Sequence, residues 1–372
     1  MRIGIDCHDF EQTPRWGIGR QIEYILKTVA ENSEFQKGNE FFLYFKNRVP
    51  EENFLKNSVF KKRVLKLIKP SFSLYYNVLL PLRAKIDKVD VMFFPANMLP
   101  ILYFGRSIVH LPVDVFFEIK HGNLALRHKI GYKVLSTWAM RHATKITTNS
   151  EYSKKELAKL FPRTADKIIV NPLGVDNQKF KPSQGSKKGN FILNVGQCFP
   201  RRMTKEIIEA FCIFSKNSVN KLKLIIVGKD KYRPPILDNL IKVKNQELSY
   251  NAITKIDDVS DNELIQLYQE AKILLYISSS EAQGLPPLEA LACGTPILVA
   301  ENELSKEIFD NLAFFVKNPD NPDSIYEALK SALEDIEKQK NIINNNNMML
   351  SKFNWHNHVE KILETANNIC QA

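Results

Sequence analysis

Cysteine is scarce and scattered in this chain. Five stand in 372 residues, Cys7, Cys198, Cys212, Cys293 and Cys370, and no two form a C-x-x-C pair. That spacing excludes a disulfide framework and fits free thiols in a reducing compartment. Seven histidines show no H-E-x-x-H or similar ligand spacing, so no metal site is visible. No apolar run reaches the ~18 residues of a membrane-spanning helix. The opening residues, MetArgIleGlyIleAspCysHisAsp, put charges where a secretory leader would be apolar, and a cytoplasmic location is expected. A dinucleotide fingerprint is also missing. Gly17 and Gly19 would need a third glycine at position 22, where Ile22 stands, so a dehydrogenase reading is poor. Acidic residues are short in the first half: residues 1–183 hold 30 Lys/Arg against 17 Asp/Glu, and the remainder 22 against 24. A basic half suits nucleic acid, an anionic membrane surface or a phosphorylated substrate.

What is present is ordinary for a globular protein, with 44% apolar and 25% charged residues. The length suits two domains of roughly 180 residues. Apolar runs at Arg2–Asp6, Phe41–Phe45, Val89–Phe94, Ile108–Val113 and Lys145–Thr148 alternate with helical periodicity, as in Gln21–Glu31. A second set starts at Phe191–Val195 and recurs at Leu222–Val227, Ile273–Ile277 and Ile297–Val299. Repeated βα units predict parallel, doubly wound sheets. The polar segment 182–190 reads as the linker between a domain over 1–183 and another over 190–350. The Asn-rich stretch Lys340–Asn347 reads as loop, and a last helix is expected over about 355–372.

The most informative stretch is 277–300, IleSerSerSerGluAlaGlnGlyLeuProProLeuGluAlaLeuAlaCysGlyThrProIleLeuValAla. It predicts strand, glycine-containing loop, short helix and strand. Pro286 and Pro287 suit a first helical turn, and Gly294 suits the position past the end. The loop at Gly284–Leu285 thus brings backbone N–H groups and the positive end of a helix dipole to one point, bracketed by Glu281 and Glu289. A helix N-terminus attracts phosphate and a carboxylate accepts from sugar hydroxyls, so the combination suggests a nucleotide-sugar site. Two carboxylates also serve glycosidases, but there they flank a scissile bond with no phosphate-type loop between them.

The same residues, GluAlaGlnGlyLeuProProLeuGluAlaLeuAlaCysGlyThrPro, resemble the E-x7-E segment of the retaining GT-B glycosyltransferases of family 4, also called glycosyl transferases group 1. The resemblance implies an α/β GT-B fold, with two Rossmann-like domains facing each other across a cleft and the last helix returning to the first domain. It implies that Glu289 holds the donor ribose, that Glu281 contacts the transferred sugar or leaving phosphate, and that the backbone at Gly284 and Leu285 cradles phosphate. Ala282 and Gln283 replace the family's usual glycine and aromatic residue. The loop Gly196–Lys205 resembles the family's Gly-x-x-x-Pro-Arg-Lys-Asn loop, whose basic pair engages the donor diphosphate. Arg201, Arg202 and Lys205 are the candidates; a solvated basic turn is the plain alternative. Gly17 and Gly19, in a Gly-Ile-Gly-Arg loop, match a donor-binding segment that faces the cleft and approaches the transferred sugar and phosphate, or simply make a tight turn. Ile256 and Val259 match a loop beside the nucleotide base, although Ser260–Glu263 also reads as a capping box. Asp114 matches an acceptor-side aspartate, but Val113 replaces the histidine usual before it, and His110 reads as structural. Ser150 reads as a helix cap.

Lys61–Lys69 mixes cations with apolar residues and reads either as a surface helix docking on anionic lipid or as a plain cover over the core. The resemblance implies a cytoplasmic, possibly peripheral, retaining hexosyltransferase of lipopolysaccharide or capsule synthesis. It would move a sugar, mannose as the first guess, from a GDP- or UDP-linked donor to a glycan or lipid-linked acceptor, with no cofactor and no metal. The rivals are a non-catalytic or hydrolytic relative that binds nucleotide or glycan, and a nucleic-acid binder. No RRM, KH or helix-turn-helix pattern supports the last, and no nucleic-acid partner is expected.

Overall fold

The computed structural model describes residues 1–371 apart from 13, 14, 16, 68–70, 122–125, 184, 186, 219 and 220. The chain divides into two compact units, Met1–Gly174 with Trp355–Ala372, and Val175–Asn354. The division precedes the polar segment 182–190. That segment is no free linker: Gly189 N–H donates to Glu270 O at 2.7 Å, and Lys188 Nζ donates to Gln269 O, Gly294 O and Thr295 Oγ1. Gln184 and Ser186 lie outside the described residues.

Unit 1 holds seven parallel strands: β1 (Arg2–Asp6), β2 (Glu40–Phe45), β3 (Phe60–Val64), β4 (Val91–Phe94), β5 (Ser107–His110), β6 (Lys145–Thr148) and β7 (Ile168–Val170). Their order is β3-β2-β1-β4-β5-β6-β7. Unit 2 repeats the plan with β8 (Phe191–Val195), β9 (Lys223–Val227), β10 (Ile253–Ile256), β11 (Leu274–Tyr276), β12 (Ile297–Ala300) and β13 (Phe314–Val316), in the order β10-β9-β8-β11-β12-β13. The central strands are buried along their whole length, as sheets covered by helices on both faces require. Each sheet reverses its winding beside its first strand, at β1/β4 and at β8/β11. Such switch points open a crevice at the carboxyl ends of the strands, where ligands bind.

The last helix, Trp355–Gln371, belongs to unit 1. Trp355, Val359, Ile362, Leu363, Ala366 and Ile369 form one buried stripe of helical period, and Trp355 stacks on Tyr24 of the helix Ile18–Glu31 at 4.9 Å. Burying each large side chain in that stripe contributes roughly 1.5–3 kcal/mol.

Two expectations are corrected. Phe60–Val64 is a strand, not the start of a lipid-docking helix; it pairs only with β2 and so forms the sheet edge. Lys61 and Lys62 are exposed there, and charge on an edge strand blocks pairing with another chain. Of the rest of that proposed helix, residues 65–67 are not helical, and Ile68 and Lys69 lie outside the described residues. The Asn-rich stretch is also helical, within Ile336–Leu350. Ile342 and Asn346 face inward, and Asn346 Nδ2 donates to Leu291 O at 2.6 Å, so packing overrides weak propensity. No helix among the described residues is long and apolar enough to cross a membrane.

Candidate functional site

In unit 2 two loops meet at the switch point. After β8 the chain turns at Gly196, whose φ of +128° favours glycine. A side chain there would meet Arg202 Nη1 at 2.0 Å, so glycine lets the guanidinium lie against the strand end. The turn Pro200–Arg202 and left-handed Met203 then start the helix Thr204–Asn217. After β11 comes the loop Ser278–Gly284. Ser279 N–H donates to Arg201 O at 2.8 Å, which ties the two loops together.

That tie brings three predicted residues into one cluster. Arg201 Nη1 lies 2.5 Å from Glu281 Oε1 and also donates to Ser280 O at 2.7 Å. Arg202 Nε donates to the same carboxylate oxygen at 2.9 Å, and Ser278 Oγ donates to it at 3.1 Å. Arg202 also stands over the Tyr276 ring, 5.3 Å from its centre. Burial alone would raise the Glu281 pKa, yet the two guanidiniums hold it down at about 2. Burial likewise works against the Arg202 charge, and Glu281 outweighs it, raising the Arg202 pKa. Two cations share one carboxylate, so the cluster keeps a net positive charge at the strand ends. It can therefore hold an anion. A cavity of about 30 Å³ lies beside it, lined by Glu281, Gln283, Asn302 and Ser305 among others.

The helix Leu285–Ala292 starts at left-handed Gly284, φ +84°. Its two prolines carry no N–H, so the amides left at the helix start are those of Gly284 and Leu285. The dipole remains, but this mouth is poorer in donors than the motif alone suggests. Glu289 lies inside the helix, is 5% exposed, and accepts from Tyr268 Oη at 2.9 Å. Lys205 stands apart from the cluster: its side chain is exposed and lies 3.9 Å from Glu209. Ile256 ends β10, and its carbonyl accepts from Gly228 N–H at 2.8 Å; Val259 follows, half-buried in an otherwise exposed loop. Ser260 and Glu263 form a full capping box. Sequence reading missed Ser278 and Tyr276, which lack any motif and enter the site only because β11 ends there.

In unit 1, Gly17 has φ +50°, and among the described residues nothing lies within 4 Å of where a Cβ would stand, while Gly19 packs so closely that a Cβ would lie 2.8 Å from Asp9 O. Gly19 is thus required by packing. Asp114 opens the helix Asp114–His121. His110 is buried and bonded to Thr147 Oγ1 at 3.3 Å; burial and the nearby His358 lower its pKa to about 3, which makes it a neutral structural residue. Ser150 caps the helix Glu151–Leu160 by accepting from Ser153 N–H.

A cavity of about 610 Å³ opens at the β1/β4 switch point. His8 and Glu11 after β1, Lys46–Arg48 after β2 and Asn97 after β4 line it, with Phe72 and Tyr132. His8 Nδ1 bonds Asp6 at 2.9 Å; burial would lower its pKa, but Asp6 raises it to about 9, so the ring is a buried cation. Glu11 accepts from the backbone N–H groups of Lys46 and Asn47. No motif announces this cavity. Its walls come from distant segments, and the usable signal was the position of His8 and Asn97 just past adjacent strands.

Two doubly wound parallel sheets, the second carrying a Glu–Arg–Arg cluster and a helix start at its switch point, define a GT-B protein. The family model described as Glycosyl transferases group 1 matches residues 176–349, a stretch that lies within unit 2. It is 28% identical over 229 residues to the O-antigen chain mannosyltransferase RfbU of Salmonella typhimurium, a match covering 62% of this chain and 61% of that protein. It is 25% identical over 223 residues to the O-antigen chain mannosyltransferase B of Escherichia coli, covering 57% of each. The chain thus spans about six tenths of the length of these curated relatives. The fold is similar to that of Anabaena Alr3699/HepE, solved in complex with UDP and glucose, with a TM-score of 0.74 and 15% identity over 99% of this chain and all of that one.

Proposed function

We propose that the chain is a retaining glycosyltransferase that moves a hexose from a nucleotide diphosphate to an acceptor hydroxyl in surface polysaccharide synthesis. The observation that carries this reading is the Glu281–Arg201–Arg202 cluster at the unit 2 switch point, inside the matched family region. Mannose is the proposed sugar and GDP-mannose the proposed donor, because two relatives are named as O-antigen mannosyltransferases. UDP is the alternative base, since the similar Anabaena protein was solved with UDP.

In this mechanism the bond from the anomeric carbon to the diphosphate oxygen breaks, and the electron pair leaves with phosphate. Arg201 and Arg202 stabilise the charge that develops there, with the helix start at Gly284–Leu285 adding its dipole. Positive side chains fill this role without a metal. The acceptor oxygen bonds the anomeric carbon on the same face, and its proton passes to the departing phosphate oxygen. Glu281 orients the guanidinium pair and contacts the sugar. Glu289 accepts from the ribose hydroxyls, a role that needs its Tyr268 bond to yield or be shared. Lys205 reaches the outer phosphate, and Ile256 and Val259 lie beside the base. In unit 1, Asp114 is proposed on the acceptor side, and the His8 cavity is the proposed acceptor pocket. The acceptor is a glycan or a lipid-linked glycan, with peripheral attachment to an anionic membrane.

A hydrolytic relative would use the same cation pair and differ only in taking water as the acceptor, so the acceptor dependence of the product separates the two. Incubation with GDP-mannose, alone and with lipid-linked oligosaccharide acceptors, tests the reading. Mannosylated product that appears only with acceptor is expected; free mannose released equally without acceptor would mark a hydrolase.

A further inference from the structure

Among the described residues four carboxylates are buried: Asp6, Glu11, Asp87 and Glu289. Three of them draw on several donors. Asp6 is bonded by His8 and Tyr75, Glu11 by the backbone N–H groups of Lys46 and Asn47, and Asp87 by Tyr44, Arg63 and Arg83. Glu289 draws on one, Tyr268 Oη, which donates to Oε2 at 2.9 Å. Its other oxygen, Oε1, has no partner among the described residues, and it is not sealed from solvent. An ionised carboxylate offers about four lone-pair sites, and leaving them short of donors inside a protein is costly. Leu288, Ala290 and Leu291, the neighbours of Glu289 on the helix Leu285–Ala292, show no exposure at all. A purely structural role would be served better by an apolar residue at this place.

The tyrosine that makes this single bond is itself held from several sides. Tyr268 is fully buried near the end of the helix Asp261–Glu270, its ring edge-on to Phe180 at 6.1 Å. Its carbonyl accepts from Thr295 Oγ1, which in turn accepts from Lys188 Nζ at 2.7 Å. The next two carbonyls are also taken: Gln269 O accepts from Lys188 Nζ at 3.0 Å, and Glu270 O from Gly189 N–H at 2.7 Å. The hydrogens can be followed along this chain. An ammonium only donates, so the Thr295 hydroxyl is free to pass its own hydrogen to Tyr268 O. A carboxylate only accepts, so the Tyr268 hydroxyl hydrogen is committed to Glu289. With ring and backbone both fixed, the hydroxyl keeps the carboxylate in one orientation. Whatever meets Oε1 must bring a hydrogen of its own. That excludes phosphate, which the carboxylate repels, and selects a hydroxyl.

We propose that Tyr268 is the positioning residue of the ribose subsite: its hydroxyl holds Oε2 of Glu289 and thereby presents Oε1 to a ribose hydroxyl of the donor nucleotide. The Tyr268 bond is then kept, not broken, when nucleotide binds. Thr295 and Lys188 act through Tyr268 and belong to the same support. The proposal rests on the transferase reading, which supplies the nucleotide.

The test is calorimetric titration of the full chain with GDP, 2′-deoxy-GDP and 3′-deoxy-GDP, or with the same UDP series where UDP is the base that binds. In the wild type, removing the hydroxyl that Oε1 reads should weaken binding at least about tenfold, as loss of a bond to a charged group does. Tyr268→Phe keeps the ring and removes the hydroxyl; the deoxy penalty should shrink at least about threefold. The penalty is a ratio of two affinities in one protein, so a loss of stability alone does not move it. Thr295→Val leaves the tyrosine in place and removes its support. It should shrink the penalty in the same direction by a smaller factor, and it serves where Tyr268→Phe folds poorly. A penalty that stays at its wild-type value in both variants overturns the proposal, because Tyr268 would then be packing only. So does a wild type that binds both deoxynucleotides as tightly as the ribonucleotide, since Glu289 would not touch ribose; nucleotide binding would still stand, and the transferase reading with it. A wild type that binds neither GDP nor UDP removes that reading itself.

Discussion

The two units share one plan and differ in almost everything built on it. All seven histidines, all three tryptophans and the whole net charge of +11 lie in unit 1, whereas unit 2 is neutral and has no histidine. Unit 1 exposes apolar surface and encloses a wide cavity; unit 2 gathers a tight ionic cluster on two short loops. A fixed donor group needs a few close charges, which a compact loop pair provides. A surface that meets large partners needs area, and area is drawn from many segments.

The largest test of that contrast is pH. In the folded chain His110 and His358 stay neutral, with pKa values lowered to about 3 and about 4 mainly by burial. The unfolded rings take protons below about 6.5. The unfolded state therefore binds more protons in this window, and stability falls as pH drops. Between pH 7 and 5 unit 1 should lose about 4 kcal/mol, at 1.36 kcal/mol per unit for each ring. His8 has the opposite sign. Its pKa is raised to about 9, so its contribution is full below about 6.5 and fades as pH rises through 9. Stability of unit 1 should peak near neutrality. Tryptophan fluorescence during urea unfolding reads this unit alone. Unit 2 should lose stability to acid later, as Glu281 protonates from about 4.5 down to about 2, together with Glu247, Asp257, Glu263 and Glu301, whose bonded carboxylates are also held below their usual range.

Next in size, Arg202→Ala should lower transfer about 10²–10³-fold, the usual cost of losing one donor to a developing anion. Arg202→Lys should restore part of it. The fluorescence midpoint of unit 1 should stay fixed in both variants; a shift would show that the units are not independent. Gly19→Ala should destabilise unit 1 by about 1–3 kcal/mol through the forced approach to Asp9 O, read as a lower urea midpoint. Asn346→Ala should cost unit 2 about 0.5–1.5 kcal/mol by removing one bond to Leu291 O, which keeps the Gly294 N–H, visible by calorimetry.

The same contrast explains what the sequence made legible. The strands Lys145–Thr148 and Phe191–Val195 have the ends that their apolar runs indicate, because both are buried on two faces. The segment around Gly284 was readable since proline and glycine punctuate it; the bonding of Glu281 to Arg201 and Arg202 was not, because it joins two loops far apart in the chain. Phe60–Val64 was not readable: an exposed edge strand carries charge at positions that mimic helical amphipathy. Ile168–Val170 and Phe314–Val316 are too short to show a period. The helix over the Asn-rich stretch depends on what packs beneath Ile342 and Asn346. The unit 1 cavity joins residues as distant as His8, Asn97 and Tyr132, and no local pattern encodes that meeting.

The account rests on the guanidinium pair as a diphosphate seat, and calorimetric titration of GDP and UDP into wild type and Arg202→Ala tests it most directly. One nucleotide should bind the wild type, and its affinity should fall at least tenfold in the variant. Equal affinity in both proteins, or no binding of either nucleotide to the wild type, would contradict it.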